Sequence, residues 1–89
     1  MKHEMVQVKY YDHSAYSGDP KGPLTLTEIG FIQGHDRTSD GHRYLTLSVG
    51  FDSEGEYNNP YVVVMLDDLI SIQRLKATGK AMSWGEFNK

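Results

Sequence analysis

The sequence predicts an all-β protein, a small and strongly bent barrel of five strands. Three observations lead to this prediction. Short runs of apolar and β-branched residues alternate with polar ones, loops rich in glycine and aspartate separate the runs, and only a tight acidic turn separates the last two. A chain of 89 residues builds one hydrophobic core, so we expect a single domain over residues 1–76 and a tail at 77–89.

The first predicted strand covers residues 5–11, where Val6, Val8 and Tyr10 point to one face of the sheet. Residues 12–23 hold serine, glycine, aspartate and proline at a density that predicts a long surface loop. The second strand is expected at residues 24–33. Gly30 within it marks a bend, a bulge or a close approach of the backbone.

The third predicted strand covers residues 42–51, between polar loops at residues 34–41 and 52–59. The alternation in this strand places Leu45, Leu47 and Val49 in the core.

Residues 60–75 predict the last two strands, joined by a turn at Asp67 and Asp68. The run at residues 62–65 is apolar and rich in valine, and Ile70 and Ile72 then resume a two-residue alternation. This segment decides between a barrel and a mixed fold.

The alternative is an α+β fold, an antiparallel sheet with a C-terminal helix at about residues 66–77. The two aspartates would suit the start of such a helix, and Arg74 and Lys76 would suit its end. The apolar side chains of the segment would, however, spread over more than half of the helical circumference, and β-branched residues such as Ile70 favour a strand. We therefore prefer the strand.

The order of motifs resembles small uncharacterised bacterial and phage proteins with SH3-like or Sm-like five-stranded barrels. The segments that carry this resemblance are residues 8–12, 28–32, 44–47 and 69–75, with a long first loop and a one-turn link between the last two strands. The Asp-x-x-x-Asn loop and the Arg-Gly element of RNA-binding Sm proteins do not occur. The resemblance therefore implies the fold but does not imply RNA binding, because the residues that recognise RNA in Sm proteins are missing.

The composition narrows the classes of partner. The formal charge of −3 and the isoelectric point near 5.7 disfavour nucleic acid, whose protein partners normally present a basic surface. The sequence has no apolar run of roughly 18 residues that could cross a membrane and no segment that reads as a signal peptide, so we expect a cytoplasmic protein. With no cysteine, neither a disulfide nor a thiolate metal site is available, and association into homo-oligomers is the remaining common route to more buried area.

One stretch concentrates residue types that bind metal. His35, Asp36, Asp40 and His42 lie within eight residues, and imidazole and carboxylate groups are donors for zinc, nickel or iron. The alternative interpretation is a hydrated hairpin connection in which aspartate and glycine serve turn geometry. The second interpretation is favoured, and no cofactor is expected.

Aromatic residues have the best claim to a functional role. Tyr11, Tyr16 and Tyr57 are expected on the outer face of the first strand and in loops. Trp84 and Phe87 place large apolar groups in the tail, and we expect them to dock it on the domain. The alternative is that the tyrosines cap the rim of the barrel. We predict a non-enzymatic interaction module that binds itself or another protein through these residues and an exposed strand edge.

Two alternative functions use other residues. An Sm-like accessory protein of nucleic acid, possibly of phage origin by its resemblance, would use Lys9, Lys21, Arg37 and Arg43, and a metal-dependent function would use His35 and His42. Catalysis has no complete set of groups: Asp12 and His13 are adjacent but lack a third partner, and no serine lies in a nucleophile elbow.

Overall fold

The computed structural model describes residues 3–12, 24–58 and 60–89. These residues form one antiparallel sheet of five strands: β1 (Met5–Asp12), β2 (Leu24–Arg37), β3 (Arg43–Ser48), β4 (Tyr61–Met65) and β5 (Leu69–Arg74). A 3-10 turn (Leu66–Asp68) joins β4 to β5, and a one-turn helix, α1 (Trp84–Phe87), follows near the C-terminus. The predicted loop at residues 12–23 lies almost wholly outside the described residues.

The order of strands in the sheet is β4-β3-β2-β1-β5, so β4 and β5 lie at opposite edges although they are consecutive in the chain. Five strands laid flat would place these edges about 19 Å apart, whereas a 3-10 turn advances only about 2 Å per residue. The sheet must therefore curl until its edges approach one another at this corner. The 3-10 turn accordingly contacts both β1 and β3.

The prediction of a mostly β fold with five strands is confirmed, but the sheet does not close into the predicted barrel because no ladder joins β4 to β5. The alternative helix over residues 66–77 is wrong. Only the 3-10 turn Leu66–Asp68 is helical in that segment, and Leu69–Arg74 pairs with β1 as a strand.

The core lies on the inner face of the curled sheet and is small. Its buried apolar side chains come from β1, β3 and β4, and they are Val6, Val8, Leu45, Leu47 and Val64. Tyr10, Ile32, Val62 and Leu69 pack against them. Partial burial raises the pKa of Tyr10, with the carboxylates of Glu28 and Asp12 acting in the same direction.

The strand bounds differ from the predicted ones on both sides of the β2–β3 hairpin. β2 continues through residues 34–37, which were predicted as loop, because His35, Asp36 and Arg37 pair with β3 after a shift of register between Ile32 and Gly34. β3 ends earlier than predicted, at Ser48, and Val49 is exposed rather than buried. The buried Ser48 hydroxyl lies 2.8 Å from the carbonyl oxygen of Gly50 and 2.6 Å from that of Asn58, so it contacts both sides of the loop that follows β3.

Candidate functional site

The β4 edge, defined here as the outer backbone side of Tyr61–Met65, is the exposed sheet edge with the fewest protecting features. Its register with β3 is regular along all five residues, from Ser48 opposite Tyr61 to Tyr44 opposite Met65. None of the five is charged, and the side chains of Tyr61 and Val63 are 54% and 48% exposed. Natural edge strands are usually blunted by a charge, a proline or a bulge, and β4 has none of these within its length.

The β5 edge is different in this respect. Its ladder with β1 shifts register between Lys9 and Tyr10, which interrupts regular pairing. At its end, the guanidinium of Arg74 donates to the carboxylate of Glu4. A bulge and a charge thus protect β5, so β4 is the edge open to strand addition.

A shallow depression lies on the outer face of the sheet beside the β4 edge. We call it the outer groove. Its volume is about 570 Å³, and its lining carries no charge: Gln33, Thr38, Tyr44, Thr46, Tyr61, Val63 and Met65. The groove combines apolar surface with a few hydroxyl and amide groups, the composition typical of binding sites.

The C-terminal arm, residues 76–89, follows β5 and is exposed at every position. Its helix α1 begins after Ser83, whose hydroxyl oxygen accepts a hydrogen bond from the backbone N–H of Glu86 at 3.3 Å. The Ser83 hydroxyl also lies 3.2 Å from the Glu86 carboxylate. This is the Ser-x-x-Glu pattern of a helix start, a signal in the sequence that our prediction of an irregular tail missed.

Trp84 and Phe87 stand on one side of that single turn. Their ring centroids are 5.8 Å apart at an interplanar angle of 30°. The side chains remain 71% and 69% exposed. In the part of the chain that the structure describes, the two rings contact each other and form an exposed aromatic pair, and docking of the tail through them stays a prediction.

The predicted binding tyrosines have different environments. Tyr11 is 44% exposed on the outer face of β1, as expected. Tyr57 is half-buried, and its hydroxyl donates to the carbonyl oxygen of Ile32 at 2.6 Å. It anchors its loop to β2, and its hydroxyl is not free for a partner. Tyr16 lies outside the described residues.

Tyr57 belongs to an aromatic cluster that the sequence did not reveal. The imidazole of His3 stacks on Phe51 with centroids 3.9 Å apart and meets Tyr57 edge to face at 4.9 Å. Phe31 of β2 completes the cluster, 5.0 Å from Phe51. These contacts come from four separate places in the chain, and they fix the loop at residues 51–57 against the sheet.

The four predicted metal donors are not brought to one point. His35 lies opposite Leu45 within the sheet, whereas His42 lies outside it, one residue before β3 begins. The Nδ1 atom of His42 is 3.2 Å from Asp67 and its Nε2 atom is 3.6 Å from Asp40, so the two carboxylates flank opposite nitrogens and do not converge. The carboxylate of Asp36 accepts a hydrogen bond from the backbone N–H of Arg37 at 2.7 Å. The structure offers no group of three or more His, Cys, Asp or Glu side chains placed for a metal within its described ranges.

The geometry of this hairpin turn predicts a measurable titration. The pKa of Asp40 is held below its ordinary value, chiefly by a hydrogen bond from the Thr38 hydroxyl, with His42 acting in the same direction. In the variant Thr38→Val we expect the pKa of Asp40 to rise toward the ordinary value of about 3.9. An NMR titration of the side-chain carboxyl carbon measures it.

The variant Thr27→Val, at an exposed position on β2, is the matched control and should leave the titration of Asp40 unchanged. Because the folded pKa is lowered, the interaction stabilises the turn above the ordinary carboxyl pKa and is lost as the pH falls through the lowered value. An unchanged Asp40 curve in Thr38→Val would contradict this account.

The cations considered for nucleic acid are dispersed. Arg37 and Arg43 are register partners at the hairpin end of the sheet, whereas Lys9 lies on β1 between Thr27 and Ser71. Lys21 lies outside the described residues, as does His13 beside Asp12. The structure thus brings together two of the four cations.

Fold and surface together define a class: a small antiparallel β protein with an uncharged edge strand, an adjoining groove and a C-terminal arm that exposes two aromatic side chains. Comparisons with models of protein families, with curated proteins and with solved structures gave no match. Of the described helices, none is long and apolar enough to cross a membrane.

Proposed function

We propose that this chain is a non-enzymatic interaction module of the cytoplasm that acts by self-assembly, through antiparallel pairing of β4 with β4 of a second copy. The observation that carries the proposal is the β4 edge, a regular and uncharged row of backbone donors and acceptors beside exposed Tyr61 and Val63. Strand addition at such an edge satisfies these groups and supplies affinity through main-chain hydrogen bonds.

The sequence of β4 suits pairing with itself. A two-fold axis at Val63 would place Tyr61 opposite Met65 of the second copy and Val62 opposite Val64 of the second copy. β-Branched and aromatic pairs of this kind stabilise antiparallel strands by about 0.2–1 kcal/mol each. An isologous contact also closes after two copies, so pairing produces a dimer and not a fibre.

The amount of exposed surface favours association. The chain exposes 7072 Å², compared with about 5,300 Å² for a compact monomer of 10.1 kDa. The radius of gyration is 16.1 Å, compared with about 12 Å for a compact domain of this length. A standard interface covers about 800 Å² on each partner, which is less than the excess.

We also propose that the fold is SH3-like or Sm-like. Support comes from the central position of β1 between β2 and β5 and from the single 3-10 turn that joins β4 to β5. These features match the order of elements in the resemblance inferred from the sequence. An open sheet of this kind leaves β4 free for a second chain.

The variant Val63→Lys tests the proposal. We expect the wild-type chain to form dimers as its concentration rises and the variant to remain monomeric over the same range, because a lysine on an edge strand opposes pairing. Sedimentation equilibrium measures the mass. Val63 is 48% exposed, so the substitution leaves the core intact.

The matched control is Val49→Lys, since Val49 is 59% exposed and lies beyond the end of β3 rather than on the β4 edge. It should dimerise like the wild type. A wild-type chain that stays monomeric at every concentration contradicts self-assembly. Equal weakening by both substitutions would show that charge alone, and not the β4 edge, governs association.

A further inference from the structure

The C-terminal arm has the features of a segment that binds elsewhere. Aromatic side chains bury about 150–250 Å² each, and two of them, Trp84 and Phe87, lie exposed here within one turn of helix. Met82, 54% exposed, precedes them. Exposed apolar groups clustered in this way mark interaction sites more often than solitary ones do.

One turn of the arm is already formed. The Ser83 hydroxyl satisfies the backbone N–H of Glu86, and the N–H groups of Phe87 and Asn88 bond to the carbonyl oxygens of Ser83 and Trp84 at 3.0 and 2.9 Å. The rings of Trp84 and Phe87 are held side by side. A preformed turn of this kind loses less conformational entropy when it docks.

The outer groove suits these side chains. Its volume of about 570 Å³ lies within the range of sites that hold small ligands, and its lining is uncharged like the aromatic pair. Tyr44 and Tyr61 offer ring surfaces, while Val63 and Met65 offer aliphatic ones. Within a single chain the groove remains open, because the side chains of Tyr61 and Val63 are about half exposed.

The charges of the two parts are complementary. Three lysines and one glutamate give residues 76–89 a formal charge of +2, which leaves −5 for residues 1–75 because the whole chain carries −3. Opposite net charges favour encounter between the arm of one copy and the body of another, and the effect weakens with salt.

We propose that the C-terminal arm of one copy docks through Trp84 and Phe87 in the outer groove of a second copy. This inference rests on the proposed self-assembly. The docked arm would add a second contact between the two copies, besides the pairing of their β4 strands. The linker at residues 76–83 spans up to about 26 Å when extended, which exceeds the width of about 19 Å that the sheet would have if it were flat and permits the arm to reach a neighbouring copy.

Trp84 is the only tryptophan of the chain, so its fluorescence reports the arm directly. On raising the protein concentration we expect its emission to shift to shorter wavelength and its quenching by iodide to fall, in parallel with dimer formation by sedimentation. The variant Phe87→Ala should weaken dimerisation about tenfold or more, as truncation of a binding aromatic does.

The groove is tested separately with Thr46→Lys. Thr46 lies on the interior strand β3, so its replacement leaves the backbone of the β4 edge unchanged. We expect the Trp84 shift to be lost in this variant. It should persist in the matched control Thr25→Lys, an exposed threonine on β2 outside the groove.

Each outcome separates the two proposals. Dimers whose Trp84 emission does not change with concentration overturn arm docking and leave self-assembly through β4 standing. A Trp84 signal already shifted in the monomer overturns docking between copies, because the arm then binds its own chain. A chain that never dimerises removes the proposed function and this inference with it.

Discussion

The Leu47→Ala variant is expected to lose a large share of the stability of the folded state. Leu47 is 2% exposed and belongs to the central cluster with Val6, Val8 and Val64. Deleting a buried leucine side chain costs about 2–5 kcal/mol, because a cavity remains in addition to the lost transfer free energy. A domain of 89 residues has only about 4–13 kcal/mol in total, and a core this small has few groups with which to fill the gap.

Urea unfolding followed by circular dichroism measures the loss as a lower midpoint. The matched control is Leu24→Ala, since Leu24 is 53% exposed at the start of β2 and its truncation removes little buried surface. Its cost should stay below about 1 kcal/mol. Equal losses in both variants would mean that Leu47 does not belong to the core as described.

Local periodicity was sufficient to predict the inner strands. The alternation of Val6 and Val8 with polar residues correctly placed both in the core, and Leu45 and Leu47 followed the same rule. A period of two is a property of consecutive residues and needs no knowledge of partners. The same rule failed at Val49, because β3 ends at Ser48 and Val49 lies beyond the ladder.

Pairing between distant segments could not be predicted in this way. Residues 34–37 look like a loop by composition, yet they form ladder partners of residues 43–46 after a bulge near Gly34. Closure of the barrel likewise depends on whether β4 meets β5 along their length, which is a property of curvature over the whole sheet.

The candidate site depended on the same missing information. The apolar run of β4 is visible in the sequence, but its exposure as an edge follows from the strand order, which places β3 on one side and no described strand on the other. The aromatic cluster around His3 was hidden for the same reason. The helix cap at Ser83 and Glu86, by contrast, is a local pattern that could have been recognised.

Gly30 of β2 lies close to the backbone of β3, where a larger residue would not fit. A β-carbon at this position would lie 2.8 Å from the carbonyl oxygen of Ser48 and 3.3 Å from the β-carbon of Leu47. The first contact is with the backbone of a paired strand, which cannot rotate away as a side chain could. We expect Gly30→Ala to cost about 1–3 kcal/mol, as overpacking of a tight core does.

Gly34→Ala is the matched control, because it makes the same substitution in the same strand. Apart from Gly34 itself and its two chain neighbours, no atom of the described residues lies within 4 Å of a β-carbon at Gly34, and Gly34 does not have a positive φ. Alanine there should stabilise the protein by about 0.4–1 kcal/mol, since it restricts the unfolded chain without strain in the folded one. Thermal unfolding of the two variants should therefore shift in opposite directions. A rise in the melting temperature of Gly30→Ala would contradict the close approach of β3 to β2, because only an open space could accept the added methyl group without cost.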